Sequence, residues 1–430
     1  MTLTIPSQPL ELRARYIFPL NGPPIVGGAV LIVGQRLAAV SQAASSRAID
    51  LGDVAIIPGL VNAHVHLEFS LLASPLGQPG MEFTEWIRHV IAHRRSSPPQ
   101  EPAQAAALHA GAAQCTVAGT TAIGEVSTRD HFSAAEPPLL DLTDFAEIIC
   151  LDRARIPDVL SAARSRLETS RPGDRVRPGI SPHAPYTVHV ELLNKLVELA
   201  AEFQAPLAMH LAESQAELEL LATGGGAFRT LLEEMGVWQP SALAQRTRPI
   251  DYLRALARAP RSLVIHGNYL DPEEIELLAR HRQHMAVVYC PRTHAFFGHP
   301  QHPLPQLLKA GALVALGTDG RSSNPDLSLL ADLRFAAGRF PGIAPERFLQ
   351  MATLDGAAAL GLEQQTGSLE AGKFADLACV AVQPSASADP YELLVADDEP
   401  VVATMFRGQW TWLNSSLAQR LAPAGWKGRG

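Results

Sequence analysis

The chain has 430 residues, of which 47% are hydrophobic, and its formal net charge at pH 7 is −8. It is longer than an average domain and long enough for a (β/α)8 barrel with an accessory domain. The negative charge argues against a nucleic-acid-binding surface, and no apolar run reaches the roughly 18 residues that a membrane span needs.

Cysteine usage and the N-terminus indicate the compartment. The cysteines, Cys115, Cys150, Cys290 and Cys379, are widely spaced and form no Cys-x-x-Cys pair. We interpret them as small buried residues of a protein kept in a reducing environment. The first residues show no basic segment followed by a continuous apolar stretch, so we predict no signal peptide and a cytoplasmic location.

The first part of the chain is predicted to contain short β-strands. Apolar and β-branched segments lie at Leu10–Ile17, Gly28–Val33 and Arg36–Val40, with Gly and Pro marking turns between them. From Val54 onward, short apolar runs alternate with alanine- and leucine-rich helical stretches. This alternation is typical of βα units and a parallel sheet.

Eight apolar runs in this second part predict eight parallel strands. They are Ala55–His66, Thr120–Val126, Ala146–Leu151, Val176–His183, Leu207–Leu211, Leu263–His266, Met285–Cys290 and Val314–Thr318. The helical segments include Ala103–Thr116, Val190–Phe203, Pro272–Arg280, Pro303–Lys309 and, after the last strand, Pro345–Leu360. Eight strands with crossover helices close naturally into a TIM barrel, so we predict the α/β class and a (β/α)8 fold.

A second β-rich region begins at the segment Gly367–Asp376. Two β-rich ends that flank a barrel can pair with each other. We therefore predict a small β-sandwich domain from residues 1–57 and 366–430, and a barrel domain from residues 58–365.

Two histidines end the first predicted barrel strand. His64 and His66 are two residues apart, so their side chains point to the same face of an extended strand. Two imidazoles must share a face in this way to bind one metal ion. In a chain with 15 histidines, such a pair can also arise by chance, so a metal site requires ligands from other strand ends.

Polar residues also follow four of the other predicted strands. Strand four ends at His183, strand five at His210 with Glu213 three residues later, strand six at His266, and strand eight at Asp319. A single histidine after an apolar run is more often structural than a ligand. Functional side chains of a barrel lie at the C-terminal ends of its strands, and so many coincidences there favour a metal site.

These residues resemble the amidohydrolase superfamily, in the branch that contains cytosine, guanine and S-adenosylhomocysteine deaminases and triazine hydrolases. The resemblance covers essentially the whole chain and includes the Gly-x-Leu-x-x-Gly-Lys-x-Ala-Asp element at Gly367–Asp376. It implies four metal ligands, which are His64, His66, His210 and Asp319.

The same resemblance implies the catalytic roles. Glu213 matches the glutamate that shuttles protons, and His266 matches the histidine that polarises the attacked centre. Asp319 would accept a proton from water as well as bind the metal, and His183 would lie on the substrate side.

The implied ligand set suits one divalent ion. Three neutral imidazoles and one carboxylate fit Zn²⁺, with Fe²⁺ as the alternative, and leave a position open for water. Such an ion lowers the pKa of a bound water from about 15.7 toward 7. Binuclear members of the superfamily use a carboxylated lysine at the end of strand four, and no lysine lies between Gly179 and Val190 here. One ion per chain is favoured.

Three functions are open on this evidence. The first is a hydrolytic deaminase of an aminated nitrogen heterocycle, and the second is hydrolysis of an amide or of a ring carbon that bears chloride. The third is a non-catalytic homologue that binds a small molecule, which a complete set of ligands and proton-transfer residues disfavours. Glu213 is suited to protonating a ring nitrogen, which favours the first. The expected partner is a small-molecule substrate, without nucleic acid or membrane, and a homodimer is a possible assembly.

Two segments after strand one limit the range of candidate substrates. His66-Leu67-Glu68-Phe69-Ser70 and Phe83-Thr84-Glu85-Trp86-Ile87 are similar to the bacterial aminodeoxyfutalosine deaminases, which implies a 6-aminopurine nucleoside-like substrate and release of ammonia. The segment Cys290–His294 departs from that group, with Thr-His where Ser-Asn is usual, so the substrate stays open. The candidate substrate-binding residues are His183, Trp86, Arg292 and Asn324.

Overall fold

The computed structural model describes residues 9–96, 101–128, 139–168, 175–243, 246–383, 389–396 and 398–421. The strands are β1 Leu10–Arg13, β2 Tyr16–Ile17, β3 Ile25–Val26, β4 Ala29–Val33, β5 Arg36–Ser41, β6 Ile49–Asp50, β7 Val54–Pro58, β8 Leu60–Val65, β9 Thr120–Ser127, β10 Asp141–Ile148, β11 Val176–Pro182, β12 Leu207–Leu211, β13 Ser262–His266, β14 Met285–Tyr289, β15 Leu313–Leu316, β16 Leu377–Ala381, β17 Val401–Phe406 and β18 Gln409–Leu413. The helices are α1 Phe83–Ser96, α2 Glu101–Val117, α3 Ile156–Leu167, α4 Val190–Phe203, α5 Gln215–Thr223, α6 Gly226–Glu234, α7 Pro249–Leu256, α8 Pro272–Arg280, α9 Pro291–Phe296, α10 Leu304–Ala310, α11 Leu329–Arg339, α12 Pro345–Met351, α13 Leu354–Leu360, α14 Pro390–Ala396 and α15 Ser415–Leu421.

Strands β8 to β15 form one parallel sheet in which each strand pairs with the next strand of the chain. The two edges of this sheet meet. The backbone N–H groups of Thr318 and Asp319, just after β15, both donate to the carbonyl of His64 in β8 at 3.1 Å. The Asn62 amide also donates to Thr318 Oγ1 at 2.7 Å. The predicted (β/α)8 barrel is confirmed.

Alternation along β12 determines which side chains enter the barrel. Leu207, Met209 and Leu211 pack in the large apolar cluster that also contains the buried face of α4, whereas Ala208 packs in a different cluster. Because side chains alternate between the two faces of a strand, His210 lies on the Ala208 side and points away from the helices. The outward residues hold the helices in place, and the inward ones are available for chemistry.

Local signals define several helices closely. Helix α8 begins with Pro272 after a capping box, in which Asp271 accepts from the N–H of Glu274 at 3.0 Å and Glu274 accepts from the N–H of Asp271 at 2.8 Å. Helix α4 ends at Phe203 and is followed by the C-cap residue Gln204, whose φ of 52° is in the left-handed region. Such caps satisfy backbone groups that a helix end leaves unpaired, and they explain why the bounds predicted for α4 and α8 agree with the structure.

The chain ends contribute two further sheets. A six-stranded sheet has the order β18-β17-β16-β7-β2-β3, and a four-stranded sheet has the order β5-β4-β1-β6. The first sheet joins the two ends, since β16 pairs antiparallel with β7 and places Cys379 opposite Ile56. Both residues are buried in the apolar cluster that the two sheets share with Leu12 and Val30. The division into residues 1–57 with 366–430 and residues 58–365 stays a prediction.

The predicted strand Ala55–His66 is two strands that belong to different sheets. β7 ends at Pro58 and lies in the six-stranded sheet, whereas β8 starts at Leu60 and is the first barrel strand. Gly59 connects the two strands. Its backbone packs so closely against Thr121 that a Cβ atom at this position would lie 2.1 Å from Thr121 Oγ1. Any larger residue at this position would therefore require the Thr121 side chain or the backbone to move.

The bounds predicted for the third barrel strand, Ala146–Leu151, lie too far toward the C-terminus. The strand β10 runs from Asp141 to Ile148, and the polar residues in its first half hid the start of the strand in the sequence. The buried carboxylates of Asp141 and Asp144 accept hydrogen bonds of 2.6 Å from Arg407 and Arg166. These partners are distant in sequence and offset part of the penalty for burying a charge, so polarity did not mark the end of the strand.

The predicted helix Pro345–Leu360 is two helices in the structure. It is interrupted between α12 and α13 at Thr353, whose φ of −136° and ψ of −87° are not helical.

Within the described residues, no helix is both long enough and apolar enough to cross a membrane.

Candidate metal centre and active site

Three imidazoles meet at the top of the barrel. His64 and His66 come from the end of β8, and His210 comes from β12. Their ligand atoms form a group within 4.8 Å of one another, and His66 Nε2 lies 3.4 Å from His210 Nε2. The structure therefore brings together the pair that the sequence placed on one strand face and a third histidine from the opposite side of the barrel.

Asp319 adds a carboxylate to this group. Its Oδ1 atom lies 3.6 Å from His64 Nε2 and 3.7 Å from His66 Nε2. The side chain is oriented by the N–H of Gly320, which donates to Oδ1 at 2.7 Å, and by the Ser323 hydroxyl, which donates to Oδ2 at 3.0 Å. Asp319 has a φ of 57°, an uncommon conformation for a residue with a side chain.

The protonation of His210 follows from its surroundings. Its Nδ1 atom lies 3.0 Å from the carbonyl oxygen of His183, so Nδ1–H donates there and the lone pair remains on Nε2. Burial lowers the pKa of His210 to about 4, and it also lowers the pKa values of His64 and His66 well below the ordinary value. Neutral imidazoles at pH 7 are the form that binds a metal ion.

The residues present fit a divalent metal ion. Among the described residues, both ring nitrogens of the fully buried His64 and the Nδ1 atom of His66 have no hydrogen-bond partner. An unpaired buried nitrogen is costly unless it serves another purpose. Ligands that are each about 2.0–2.2 Å from one ion lie a little over about 3 Å apart in a tetrahedral site, and the 3.4–3.7 Å spacings here match that requirement.

Beside this group, Glu213 and His266 form a pair. Glu213 Oε1 lies 3.1 Å from His266 Nε2, and both side chains are buried. Burial and the nearby Asp319 carboxylate raise the pKa of Glu213 well above its usual value. Burial lowers the pKa of His266 well below its usual value. A glutamate that tends to hold a proton therefore contacts a neutral imidazole at the metal group.

The turn that carries Glu213 is held by Glu217, which the sequence analysis did not identify. The Glu217 carboxylate accepts from the N–H of Ala212 at 2.9 Å and from the N–H of Glu213 at 2.8 Å. Ala212 is in the left-handed region with a φ of 53°, so this carboxylate stabilises an unfavourable backbone conformation. The Ser214 N-cap followed three residues later by Glu217 was the sequence signal for it.

A cavity of about 550 Å³ opens above these residues. This size is within the range of about 300–1,000 Å³ that is typical of small-molecule sites. Helix α1, helix α6 and the segment after β10 form its walls, and His66, His210, Glu213, His266 and Asp319 are at its base. The cavity therefore ends at the proposed metal and proton-transfer residues.

Two of the four predicted substrate-binding residues line this cavity. Trp86 lies in the α1 wall, and its indole N–H donates to the carbonyl of Ser322 at 3.1 Å. His183 lines the cavity beside His210, with its Nδ1 atom 2.7 Å from Thr187 Oγ1. Burial lowers the pKa of His183 to about 3, so it presents a neutral ring.

Arg292 and Asn324, the other two predicted substrate-binding residues, are not among the residues that line this cavity. The Arg292 guanidinium binds both Asp332, at 2.8 Å, and Asp326, at 2.7 Å. The fully buried Asn324 amide donates to the Thr318 carbonyl at 2.6 Å and to Asp332 Oδ2 at 3.1 Å. Their hydrogen bonds are used to brace the loop that follows Asp319.

Sequence analysis missed a polar patch part of the way up the cavity. Glu147 lies near the end of β10, and its side chain is only 4% exposed. Its carboxylate lies 3.8 Å from His183 Nε2 and 3.9 Å from an Arg94 nitrogen. Arg94 itself donates to Glu68 at 2.5 Å. Within the described residues, no hydrogen bond reaches the Glu147 carboxylate, so it remains able to accept from a ligand. The correct bounds of β10 would have identified it as a strand-end residue.

We expect one tightly bound divalent ion per chain, because the two groups of ligand atoms within 4.8 Å, His64 with His66 and His210 and His64 with His266 and Asp319, share His64. In addition, no lysine lines the cavity among the described residues. Elemental analysis of protein purified without added metal measures this ratio. Removing the ion with a chelator should also lower Tm, since an ion that binds only the folded state stabilises it. Two ions per chain, both required for activity, would contradict the single-ion site.

Comparisons with known proteins find a matching family and several similar proteins. A sequence profile of the Amidohydrolase family matches residues 55–411. A 5-methylthioadenosine/S-adenosylhomocysteine deaminase of Moorella thermoacetica is 32% identical in an alignment of length 384 that covers 85% of this chain and 83% of that protein. An aminodeoxyfutalosine deaminase of Deinococcus radiodurans is 30% identical in an alignment of length 358 that covers 78% of this chain and 81% of that protein.

Solved structures share the fold. An adenosine deaminase from Xanthomonas campestris, crystallised with bound zinc, superposes with a TM-score of 0.71 at 23% identity and covers 97% of each chain. At that identity the similarity establishes the architecture of the barrel and the flanking sheets.

Proposed function

The chain belongs to the amidohydrolase family, and on that premise we propose that it is a metal-dependent deaminase that hydrolyses the exocyclic amine of a 6-aminopurine nucleoside. It is a hydrolase of carbon–nitrogen bonds, as are its deaminase relatives at 30% and 32% identity. The observation that carries the proposal is the 3.1 Å contact between Glu213 and His266 beside the group of His64, His66 and His210 and the Asp319 carboxylate next to it.

We propose that His64, His66, His210 and Asp319 hold one divalent ion, most simply Zn²⁺. Nitrogen-rich ligand sets with a carboxylate suit zinc, and the Xanthomonas campestris deaminase with the same fold binds zinc. When bound, such an ion makes hydroxide available near neutral pH and stabilises negative charge at the reacting centre.

Glu213 is proposed to move the protons of the reaction. Its raised pKa favours the protonated carboxyl, which can donate to the ring nitrogen next to the carbon under attack. After water has added, the Glu213 carboxylate can take the proton of the new hydroxyl group and pass it to the amine, which leaves as ammonia while the hydroxyl oxygen becomes the ring carbonyl. The proton that Asp319 accepts from the attacking water can then restore the Glu213 carboxyl. One side chain, in a fixed position beside His266, therefore transfers protons both to the ring nitrogen and to the leaving amine.

His266 and Asp319 are proposed to complete the proton path. His266 is neutral, so its ring can donate a hydrogen bond to the oxygen that adds to the ring carbon. Asp319 Oδ1 faces the ligand group, where it can accept the proton of the attacking water. Anchoring by Gly320 and Ser323 keeps this carboxylate oriented, which reduces the reorganisation needed during the reaction.

The cavity walls support a purine nucleoside as the substrate. Trp86, Phe83 and Phe297 form an aromatic group whose ring centroids are 5.1–5.6 Å apart, and Trp86 presents an apolar face to the cavity. The Glu147 and His183 patch lies beyond the base, where it can receive hydroxyl groups of a sugar. An adenine-like ring at the base and a ribose at this patch account for both features.

Release of ammonia from a panel of aminated rings tests the proposal. The metal-loaded enzyme is incubated with adenosine, 5′-methylthioadenosine, S-adenosylhomocysteine, aminodeoxyfutalosine, guanine and cytosine. We expect loss of the adenine absorbance with one ammonia per product for the adenine nucleosides. Preference for guanine or cytosine would change the substrate but keep the reaction. Turnover only of an amide or a chlorinated ring would show hydrolysis at a different centre. The cytoplasmic location and a homodimer stay predictions.

A further inference from the structure

One of the proposed catalytic residues has an unfavourable backbone conformation. His266, the last residue of β13, has a φ of 70°, and Gly267 follows it with a φ of 59°. The left-handed region suits glycine but raises the free energy of a residue that has a Cβ atom. Such a conformation persists in a folded protein where surrounding contacts hold it.

The left-handed conformation is what brings the His266 side chain into the site. Along β13, Val264 packs in the apolar cluster that includes α4, whereas Ile265 packs in the cluster on the opposite face. Side chains of a regular strand alternate, so the next residue would point toward the helices, as its neighbour Leu211 on β12 does. Instead, His266 lines the cavity, and its Nε2 atom lies 3.1 Å from Glu213.

A histidine that has no part in the proposed reaction binds the backbone carbonyl of His266. His302 Nε2 lies 2.9 Å from this carbonyl oxygen, and both residues are buried. A carbonyl oxygen can only accept, so Nε2 carries the hydrogen of the His302 ring. Burial lowers the pKa of His302 to about 3. The ring is therefore neutral at pH 7, and its one N–H group donates to His266.

The His302 ring is itself fixed in place. It stacks on Tyr289, with ring centroids 4.0 Å apart and an angle of 27° between the planes. Tyr289 is the last residue of β14, the strand that pairs with β13. Among the described residues, His302 Nδ1 has no hydrogen-bond partner. An unpaired buried nitrogen is unfavourable and an apolar side chain would avoid it, so the bond from Nε2 is what explains a histidine here.

A second turn of the site is held in a comparable way. Ala212 also has a left-handed backbone, and its N–H donates to the Glu217 carboxylate at 2.9 Å. In both turns, a buried polar side chain from a later part of the chain binds a backbone group of the left-handed residue. The contact from His302 is therefore one of two that stabilise the ends of β12 and β13.

We propose that His302 is a positioning residue, which holds the backbone of His266 in the left-handed conformation and so keeps the His266 imidazole beside Glu213. This inference rests on the proposed function, because His302 would act through the hydrogen bond that His266 donates to the oxygen added to the ring carbon. Loss of the His302 donor leaves the buried carbonyl unpaired and removes a contact that stabilises the strained φ. Relaxation of that φ would turn the imidazole away from Glu213.

Two amide replacements that differ in reach test the proposal. In His302→Gln, the amide nitrogen is as many bonds from Cβ as Nε2 is, whereas in His302→Asn it is one bond closer and falls short of the carbonyl. With adenosine, we expect His302→Asn to lower kcat per bound metal ion by roughly 10- to 100-fold, the effect of a small displacement of a catalytic group. KM should change less than about threefold, because the lost interaction belongs to the transition state. His302→Gln should restore most of kcat.

His284→Asn is the matched control. His284 Nε2 likewise lies 3.1 Å from a backbone carbonyl, that of Ala257, but His284 is not among the residues that line the cavity. This variant should lower Tm without lowering kcat. A folded His302→Gln enzyme that is as slow as His302→Asn would show that packing of the imidazole matters and not its donor, and would overturn the proposal. If His302→Asn does not fold, a folded His302→Gln enzyme with a kcat lowered more than about tenfold overturns it by itself.

Crystal structures of the two variants test the positioning without any substrate. In His302→Asn, we expect the φ of His266 to leave the left-handed region and its contact with Glu213 to lengthen, whereas His302→Gln should preserve both. An unchanged His266 in the structure of His302→Asn would overturn the inference. If the parent enzyme releases no ammonia from any adenine nucleoside, the proposed function fails, and these structures alone decide whether His302 positions His266.

Discussion

Replacing Asp319 by Asn is expected to lower kcat by about 10³-fold or more, which places it among the most damaging conservative changes in the site. The substitution keeps the size of the side chain but removes the negative charge that lies 3.6 Å from His64 and 3.7 Å from His66. It therefore weakens a proposed metal ligand and removes the proposed acceptor of the water proton in one step. Turnover of adenosine at saturating metal, with the metal content of the same sample, measures both effects.

Asp158→Asn provides the control for the loss of one negative charge, because Asp158 is exposed in the first turn of α3. It should change kcat less than twofold. An Asp319→Asn enzyme with full metal content and nearly normal turnover would contradict both roles assigned to this carboxylate.

Replacing Glu213 by Gln is expected to lower kcat by about 10²- to 10⁴-fold, the usual contribution of a positioned acid or base, while metal content is unchanged. Glutamine can still accept from His266, which lies 3.1 Å from Oε1, and the N–H groups that hold the turn on Glu217 are not altered. Only the transferable proton is lost. Single-turnover kinetics and elemental analysis of the variant measure the two quantities independently.

A matched variant, Glu233→Gln, removes an exposed carboxylate of α6 that pairs with Arg229 at 2.8 Å. Surface pairs of this kind contribute little, so its activity should be that of the parent enzyme. Loss of metal from Glu213→Gln would instead make Glu213 a ligand, and the proton path would then need another donor.

The positions of the proposed catalytic and metal-binding residues could be predicted because they depend on local patterns. His64 and His66 share a strand face through the period of two, and His210, His266 and Asp319 each follow an apolar run that a parallel barrel brings to one end. The bounds of β12, α4 and α8 agree with the prediction for the same reason. Their apolar periodicity and their caps lie within a few residues of one another, so no distant contact is needed to specify them.

Other features depend on partners that are far apart in the sequence, and only the tertiary structure decided them. Arg292 follows strand seven, as a substrate-binding residue would, but Asp332 on α11 engages its guanidinium in the folded chain. Glu147 was not predicted as a site residue, because the charged Asp141 and Asp144 hid the start of β10 in the sequence. In the folded chain, Arg407 and Arg166 neutralise those two charges. Whether a charged side chain binds substrate or braces a loop is settled by which opposite charge the fold places beside it. That pairing depends on electrostatics and packing between residues that are far apart in the sequence. The periodicity of apolar residues along the chain does not encode it.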